Sequence, residues 1–409
     1  MFFINIGSFA QNNTSSPYSR FGYGEISDNG SGKSKGMGGV SIGMRSNSSI
    51  NTANPASYTG IDSLTFLFEF GALGKQSLFS DKTASNGKAF TANLEFLTME
   101  FPLTKWLAAS VGILPYSVVG YSFSTSDSMA IHTNSGTDNY INSTKTFSGS
   151  GNLTQTYGGL STKIGKHFSF GINVYYLFGS ISNERYLTFD ETTGTYASAL
   201  QTQTLKVKDI NLRYGLQYFT ELKNKNKLTL GVILENKSRL GGTYSIESSG
   251  IDTISTSNGS DFQTPLLIGI GGSYTIKDRI TLGADFQFQN WANANYFGKT
   301  DTLKNSTKVS VGAEFLPAKI TKRYFSRVVY RVGANVSSGY LNINGKSPDN
   351  YALTLGLGLP TRGSKTLINL GFEYGKKGST SNNQIREDYF KFSVSATFNE
   401  LWFFKRHFE

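Results

Sequence analysis

The stretch from Tyr389 to Phe398 reads Y-F-K-F-S-V-S-A-T-F. In an extended chain, one face of this stretch is apolar and carries Phe390, Phe392, Val394, Ala396 and Phe398. The opposite face is polar and carries Lys391, Ser393, Ser395 and Thr397. Such alternation, ending in an aromatic, is typical of a strand with lipid on one side and a watery lumen on the other. Because the pattern recurs along the chain, the sequence predicts an all-β protein, a transmembrane antiparallel β-barrel in the outer membrane of a Gram-negative bacterium.

Period-two alternation gives about fourteen candidate strands. Their approximate spans are 64–73, 88–101, 105–122, 151–164, 167–182, 203–219, 226–238, 264–276, 279–292, 306–316, 327–341, 349–360, 364–377 and 386–399. Short connections such as 102–105 alternate with long polar ones such as 123–150 and 239–263. Short periplasmic turns and long external loops produce this alternation, and an even strand number returns both termini to the periplasm. A soluble propeller or sandwich, the alternative all-β architecture, gives no reason for it.

Composition narrows the class of protein further. Aromatic residues make up 14% of the chain although its mean hydropathy is -0.26, as expected when every second residue of a strand meets outer-membrane lipid. No run approaches the roughly 18 consecutive apolar residues that a transmembrane helix needs. Cysteine is absent, which removes disulfides, thiolate metal sites and cysteine nucleophiles.

The formal net charge is +11, but the basic residues are scattered over short turns and form no tract. This distribution argues against nucleic acid as a partner. It suits anionic headgroups or a periplasmic protein, or solvated turns without a specific partner.

Outside the predicted barrel at 63–398, three segments are distinguished. Residues 1–10 end in Ser8-Phe9-Ala10 and are interpreted as the remnant of a signal peptide, with a buried first strand as the alternative. Residues 11–62 are rich in Gly, Ser and Asn and form either a disordered periplasmic extension or a plug in the lumen. The plug is favoured by apolar members that a solvated tail would not need, namely Tyr18, Phe21, Tyr23, Met37, Val40 and Ile42. Residues 399–409 form an aromatic periplasmic tail whose anchor at the membrane interface or on a partner is Trp402, Phe403 and Phe404.

Residues 36–60 read G-M-G-G-V-S-I-G-M-R-S-N-S-S-I-N-T-A-N-P-A-S-Y-T-G. This segment, with Asn54, Pro55 and Ala56 just ahead of the first strand, resembles the N-terminal segment of the FadL-type outer-membrane transporters of hydrophobic compounds. The resemblance implies a fourteen-stranded barrel with an N-terminal hatch in its lumen, and it makes Asn54, Pro55 and Ala56 the candidate hatch residues.

Pro115 and Gly120 interrupt the third predicted strand. Proline cannot donate to a strand ladder, so a kink is expected there. In the family that the chain resembles, a kinked third strand opens a lateral exit into the membrane, which makes these two residues the candidate lateral opening. A β-bulge that merely helps to close the barrel is the alternative.

Seven charged residues are predicted to face the lumen: Glu69, Glu95, Arg213, Asp285, Glu314, Arg331 and Glu373. Charge in a narrow lumen must be paired or wet, so they are interpreted as an ion-paired lining that holds the plug. A selectivity lining for polar solutes is the alternative.

No catalytic arrangement is indicated, and the chain is predicted not to be an enzyme and to need no cofactor. Residues 39–43 satisfy G-x-S-x-G, but a nucleophile elbow needs a strand before it and a helix after it. The histidines His132, His167 and His407 are too scattered for a metal site or a triad.

Two functions of different class follow. The first is a transporter that admits hydrophobic small molecules past the hatch and releases them sideways near the third strand. The second is a non-transporting integral subunit of a larger outer-membrane assembly or secretion complex, with partner proteins on its loops, turns and tail. Sequence alone places transport narrowly first, and an open porin third because a plug would obstruct it.

Overall fold

The computed structural model describes residues 14–28, 30–82, 86–132, 138–190, 197–249, 251–256, 261–318, 323–361, 366–381 and 384–401, and the structural statements below concern these residues. The strands are β1 (Glu25–Ile26), β2 (Thr65–Ser80), β3 (Asn86–Pro102), β4 (Leu107–His132), β5 (Asp138–Ile164), β6 (Phe168–Phe189), β7 (Ala199–Glu221), β8 (Lys227–Glu235), β9 (Gly242–Ser248), β10 (Ile251–Thr256), β11 (Leu267–Ile276), β12 (Ile280–Gln289), β13 (Ser306–Phe315), β14 (Val329–Ser337), β15 (Asn350–Pro360), β16 (Leu367–Lys377) and β17 (Arg386–Leu401). Helical turns are short: α1 (Gly32–Lys35) and 3₁₀ turns at Pro17–Arg20, Pro55–Gly60, Lys223–Lys225, Trp291–Asn293 and Tyr324–Ser326.

The strands from β2 to β8 and from β11 to β17 form one closed antiparallel barrel. Each pairs with its neighbour in the chain, β8 pairs with β11 across the inserted β9–β10 hairpin, and β17 pairs with β2 from Leu401↔Thr65 to Arg386↔Ser80. This closure leaves no open sheet edge around the ring at the level of the turns. The predicted fourteen-stranded barrel is confirmed.

Burial in β17 follows the alternation that predicted it. Ser393, Ser395 and Thr397 are buried against the contents of the lumen. Phe390 and Phe392 are exposed on the outer surface. The outer surface is therefore apolar and the inner one polar, as a lipid-embedded barrel requires.

Short turns lie at one end of the barrel, the turn end, and longer connections lie at the other, the loop end. At the loop end, β4 runs to His132 and β5 begins at Asp138, so most of the segment 123–150 is strand and its prediction as a loop was wrong. Residues there, such as Ser124 paired with Thr146 on one face and Thr125 paired with Lys145 on the other, are polar on both faces. A strand that continues past the membrane has no need of an apolar face, so periodicity could not reveal it.

The segment 239–263, also predicted as a loop, contains β9 and β10. These form a hairpin, and β9 pairs with the part of β7 from Gln201 to Val207. The long strands β4–β7 with this hairpin make one wall of the barrel taller than the wall built from β11 to β15, whose strands end near the loop-end rim.

The described residues before β2 lie in the lumen, which confirms the predicted plug. Tyr23, Met37, Val40 and Ile42 are fully buried, whereas Phe21 is 42% exposed at the loop end. Because the plug has little regular secondary structure, its backbone polar groups bond to one another in turns and to side chains of the plug and the wall. No helix in the described ranges is long and apolar enough to cross a membrane.

Two predicted segments cannot be placed. The signal-peptide remnant at residues 1–10 and the anchor residues Trp402, Phe403 and Phe404 lie outside the described residues. β17 continues to Leu401, so the first residues of the predicted tail belong to the last strand.

Candidate functional site

The candidate site is the luminal plug and the part of the wall that it covers. The plug has two main parts, the latch segment (residues 14–28) and the hatch segment (residues 36–60). α1 lies between them.

The predicted hatch residues form the start of a 3₁₀ turn pressed against the wall. Asn54 Oδ1 accepts a hydrogen bond of 3.1 Å from the N–H of Ala56, and Asn54 Nδ2 donates one of 2.9 Å to the carbonyl of Ile42. Proline suits the first position of such a turn because its missing N–H would have no partner there. All three side chains are buried.

Glycines on the wall make room for the hatch segment. A Cβ atom added at Gly171 on β6 would lie 2.4 Å from the carbonyl carbon of Pro55, and one at Gly215 on β7 would lie 2.1 Å from Asn54 Oδ1. On the other side of the lumen, a Cβ at Gly333 would lie 2.2 Å from the backbone N of Gly38. The fit therefore depends on backbone lying directly against backbone.

Two predicted inward carboxylates bind backbone N–H groups of the plug. Asp285 Oδ2 accepts from Ser41 N at 2.6 Å and from Ile42 N at 2.8 Å. Glu69 accepts from Gly32 N at 3.2 Å and from Ile50 N at 3.3 Å. Such bonds satisfy plug amides that have no secondary-structure partner.

The remaining predicted inward charges form ion pairs. Two pairs reach α1: Glu314 contacts Lys33 at 2.8 Å, and Glu95 contacts Lys35. The wall pairs are Arg331–Glu314 at 2.7 Å, Arg213–Glu235 at 2.6 Å and Glu373–Lys391 at 3.1 Å. The geometry supports the ion-paired lining over a selectivity lining, and the role of these residues in function stays a prediction.

Arg45, a residue of the hatch segment that the sequence did not single out, lies at the turn end of the barrel. Its guanidinium donates to Thr59 Oγ1 at 2.8 Å and to the carbonyl of Ala56 at 3.2 Å, and it lies 4.1 Å from the ring centroid of Phe219. Burial lowers the pKa of Arg45 to about 10, and nearby Glu100 opposes that shift, so the guanidinium stays charged at neutral pH.

A second cluster that sequence reasoning missed holds the latch segment. Glu25 contacts Lys75 at 3.0 Å and Lys377 at 3.5 Å, and Lys75 also contacts Glu387 at 2.9 Å. Burial opposes ionisation of Glu25, but Lys377 and Lys75 outweigh it and hold the pKa of Glu25 well below its usual range. Ser16 Oγ donates to Glu387 at 2.6 Å. The parity of Lys75, Lys377 and Glu387 within their strands was an available signal that they face inward.

The latch segment covers a seam between β3 and β4. Pairing of these strands runs from Pro102↔Ala108 to Leu97↔Ile113, and among the described residues of the two strands it goes no further. Beyond that point the free edge of β4 pairs with β1, through Val118↔Glu25 and Ser117↔Ile26, and Ser27 N donates to Tyr116 O at 2.9 Å.

The predicted opening residues lie at this seam. The register of β4 against β5 shifts between Pro115 and Ser117, which is a bulge. Both backbone groups of Gly120 bond to the plug: Gly120 N donates to Ser19 Oγ at 3.1 Å, and Ser19 Oγ donates to Gly120 O at 3.0 Å. Unpaired backbone in lipid is tolerated only beside a cavity or when protein covers it, and here the plug covers it.

A cavity of about 530 Å³ lies behind the seam. It is lined by the latch segment and by the facing parts of β3 and β4, including Leu94, Phe96 and Leu114. The bulge at Glu95, where Gly71↔Phe96 is followed by Ala72↔Leu94, turns β3 away from β4 and makes room for it.

The other sequence candidates lie apart from one another. Ser41 lies in a turn of the plug and its N–H donates to Asp285. His167 Nδ1 lies 3.1 Å from the carbonyl of Phe219 in an exposed turn, and His407 lies outside the described residues. Within the described part of the chain, no group of three His, Cys, Asp or Glu residues is arranged to hold a metal ion.

The BamG family model matches residues 1–409. The chain belongs to the BamG family. No curated protein matches it significantly.

Solved structures show that this BamG family member has a FadL-like fold. A FadL homologue of Pseudomonas aeruginosa superposes with a TM-score of 0.60 at 14% identity, covering 91% of this chain and 99% of that one. The toluene transporter TodX of P. putida gives a TM-score of 0.59 at 15% identity, covering 93% and 100%. The toluene transporter TbuX of Ralstonia pickettii gives 0.61 at 13% identity, covering 91% and 98%. The predicted resemblance is confirmed at the level of the fold, which is that of a Gram-negative outer-membrane β-barrel.

Proposed function

We propose that this chain is an integral subunit of the BAM complex of the outer membrane and that its barrel is held closed by its own plug. The observation that carries the proposal is the match of the whole chain to the BamG family, whose name suggests association with that complex. This reverses the order in which sequence alone places subunit and transporter.

The way the plug is held supports a structural role. Backbone lies against backbone at Gly171 and Gly333, and buried carboxylates at Asp285 and Glu69 bond plug amides. A lumen closed in this manner suits a barrel used as a scaffold, because passage would require displacing contacts that are distributed over most of the wall.

Native purification tests this proposal. The full-length chain carries an affinity tag and is extracted in mild detergent, and an unrelated tagged barrel of similar abundance serves as the control. We expect stoichiometric recovery of other BAM-complex proteins with this chain and not with the control. A parallel variant that ends at Leu401 tests whether the predicted anchor Trp402, Phe403 and Phe404 retains the partner. Recovery of the chain alone, at normal abundance, would contradict the subunit role.

A second function, admission of a hydrophobic small molecule, is favoured by the seam. The cavity of about 530 Å³ behind the β3–β4 seam includes the apolar side chains Leu94, Phe96 and Leu114 on its walls. If the latch segment withdraws from β4, the cavity would communicate with the bilayer.

Uptake measurements separate this function from the first. Cells that carry Pro115→Ala with Gly120→Val should take up less of a labelled monoaromatic hydrocarbon per barrel than wild type, because the substitutions restore a ladder donor and fill the seam. Gly158→Val is the matched control, since a Cβ at Gly158 meets no atom within 4 Å. Equal uptake by all three strains would contradict admission of a hydrophobic molecule through the seam, and the subunit role would remain as the proposed function.

A further inference from the structure

A separate pocket of about 230 Å³ lies at the loop end of the barrel, away from the seam. Its walls come from the latch segment, from the inner faces of β4 to β7, and from the connections that follow β12 and β14. Arg20, Phe147, Arg185, Tyr296 and Asn342 are among its lining residues.

Two arginines line this pocket, one stacked on an aromatic ring and the other, which is exposed, opposite that ring in the strand ladder. The guanidinium carbon of Arg20 lies 4.2 Å from the ring centroid of Phe147, and Arg185 is directly opposite Phe147 in the β5–β6 ladder. Residues opposite each other in a ladder have Cβ atoms about 5 Å apart. Burial lowers the pKa of the Arg20 guanidinium, and Tyr121 opposes this shift. The positive charge of Arg185 lowers the pKa further, because the two cations repel each other.

Within the described part of the chain, no carboxylate neutralises this pair of arginines. Among the described residues, neither Arg20 nor Arg185 forms an ion pair with a carboxylate. Glu184 precedes Arg185 but belongs to the other face of the strand, where it accepts a hydrogen bond of 3.2 Å from Ser148 Oγ. Stacking on Phe147 accounts for Arg20 alone. A second cation beside it adds repulsion unless an anion lies between them.

The pocket also presents neutral polar groups. Asn342 Nδ2 donates to the carbonyl of Asp301 at 2.8 Å, whereas Asn342 Oδ1 is buried and has no hydrogen-bond partner among the described residues. Tyr121 donates to Asn183 Oδ1 at 2.8 Å, which fixes the orientation of that amide on the same wall. A buried acceptor without a partner indicates a donor that the ligand supplies.

We propose that this pocket binds an anionic sugar, a single saccharide ring that carries a phosphate or a carboxylate. The two guanidiniums would bind the oxyanion, for which arginine's planar set of donors is well matched. The rings of Tyr296 and Phe297 line the pocket and offer apolar faces to the C–H bonds of the sugar, and Asn342 Oδ1 would accept from a hydroxyl. The volume is below the roughly 300 Å³ at which drug-sized sites begin, so one ring fits better than an acidic peptide.

Titration of the purified full-length barrel in detergent micelles tests the proposal. Glucose 1-phosphate and glucuronate are the probes. Glucose, which has the sugar ring without the charge, and inorganic phosphate, which has the charge without the ring, are the controls. Both probes should bind more tightly than either control. Arg185→Gln should weaken binding of the probes about tenfold or more, since hydrogen bonds to charged groups contribute about 1.5–3 kcal/mol. Arg185→Lys should retain part of the affinity, and Arg20→Gln should repeat the loss.

Lys206→Gln is the matched control, because Lys206 is an exposed cation on the outward face of β7 near the same end of the barrel. Correct folding of each variant is checked by heat-modifiable migration in gels. Unchanged probe binding in Arg185→Gln, or an equal loss in Lys206→Gln, would overturn the site. If inorganic phosphate bound as tightly as glucose 1-phosphate, the sugar ring would not be recognised and the saccharide part of the proposal would be wrong. If triglutamate bound more tightly than both probes, the ligand would be an acidic peptide and not an anionic sugar.

Discussion

The hatch segment and the latch segment occupy the same lumen but are held by different physics. The hatch segment lies with its backbone against glycines of the wall, and buried carboxylates accept from its amides. The latch segment is held by Glu25 between Lys75 and Lys377 and by a two-residue pairing with the free edge of β4.

Shape complementarity and backbone pairing do not respond to pH or salt, whereas ion pairs do. The latch segment, which covers the seam, is therefore expected to be released by acid or salt more readily than the hatch segment, which its fit against the wall glycines retains.

The largest effect is expected from filling a hatch glycine. Gly171→Leu places side-chain atoms where the carbonyl carbon of Pro55 already lies 2.4 Å from the Cβ position, and backbone on both sides cannot yield. We expect loss of the folded, heat-modifiable barrel, or a folded barrel with much larger conductance because the hatch segment is expelled. Gly158→Leu, at a position with open space, should behave like wild type. A normal, closed Gly171→Leu barrel would refute the account of the hatch segment as fixed by shape.

Acid should release the latch segment. Glu25 faces Lys75, Lys377, Glu387 and Lys391, and lysine charge holds its pKa below the usual value even though burial opposes this. The stabilisation is therefore complete above the ordinary carboxyl pKa of about 4.3 and is lost as pH falls below it through the lower folded-state value.

Planar-bilayer recordings check this prediction. Wild-type channel openings should become frequent below about pH 4, whereas Glu25→Gln should open more often at neutral pH and respond less to acid. Identical pH profiles for the two proteins would show that Glu25 does not hold the latch segment.

The smallest effect is expected at the edge of β4. Ser19→Ala removes the hydroxyl that bonds both backbone groups of Gly120, a contribution of about 1 kcal/mol to the docked latch segment. Conductance noise should rise slightly at neutral pH. Ser27→Ala is the control, because Ser27 bonds to Tyr116 through its backbone N–H. Equal conductance noise in the two variants would show that the Ser19 hydroxyl does not help to hold the latch segment at the seam.

Alternation made the barrel predictable from sequence wherever lipid meets the wall. The faces of β17 follow directly from Phe390 to Thr397, and Pro115 marked the bulge in β4. The same logic failed from 123 to 150, because residues above the membrane are polar on both faces and carry no period.

Within the site, the alternation of side chains along each strand predicted which charged residues face inward, but it could not predict their partners. Asp285 was interpreted as part of an ion-paired lining that holds the plug by hydrogen bonds, and only the structure shows that its partners are the amides of Ser41 and Ile42. The pairing of Glu25 with Lys377 joins residues 352 positions apart, so it depends on barrel closure and plug placement together. The pocket with Arg20 and Arg185 requires the same two conditions, which no local pattern encodes.

The hydrogen bond from Ser16 to Glu387 spans 371 positions of the chain, nearly from the first described residue to the last strand. Contacts of such high contact order form late, since the loop between their ends must close before they contribute any stability. The latch segment is thus expected to find its place only after β17 has met β2. A barrel that has not yet closed is therefore also one that its plug has not yet sealed.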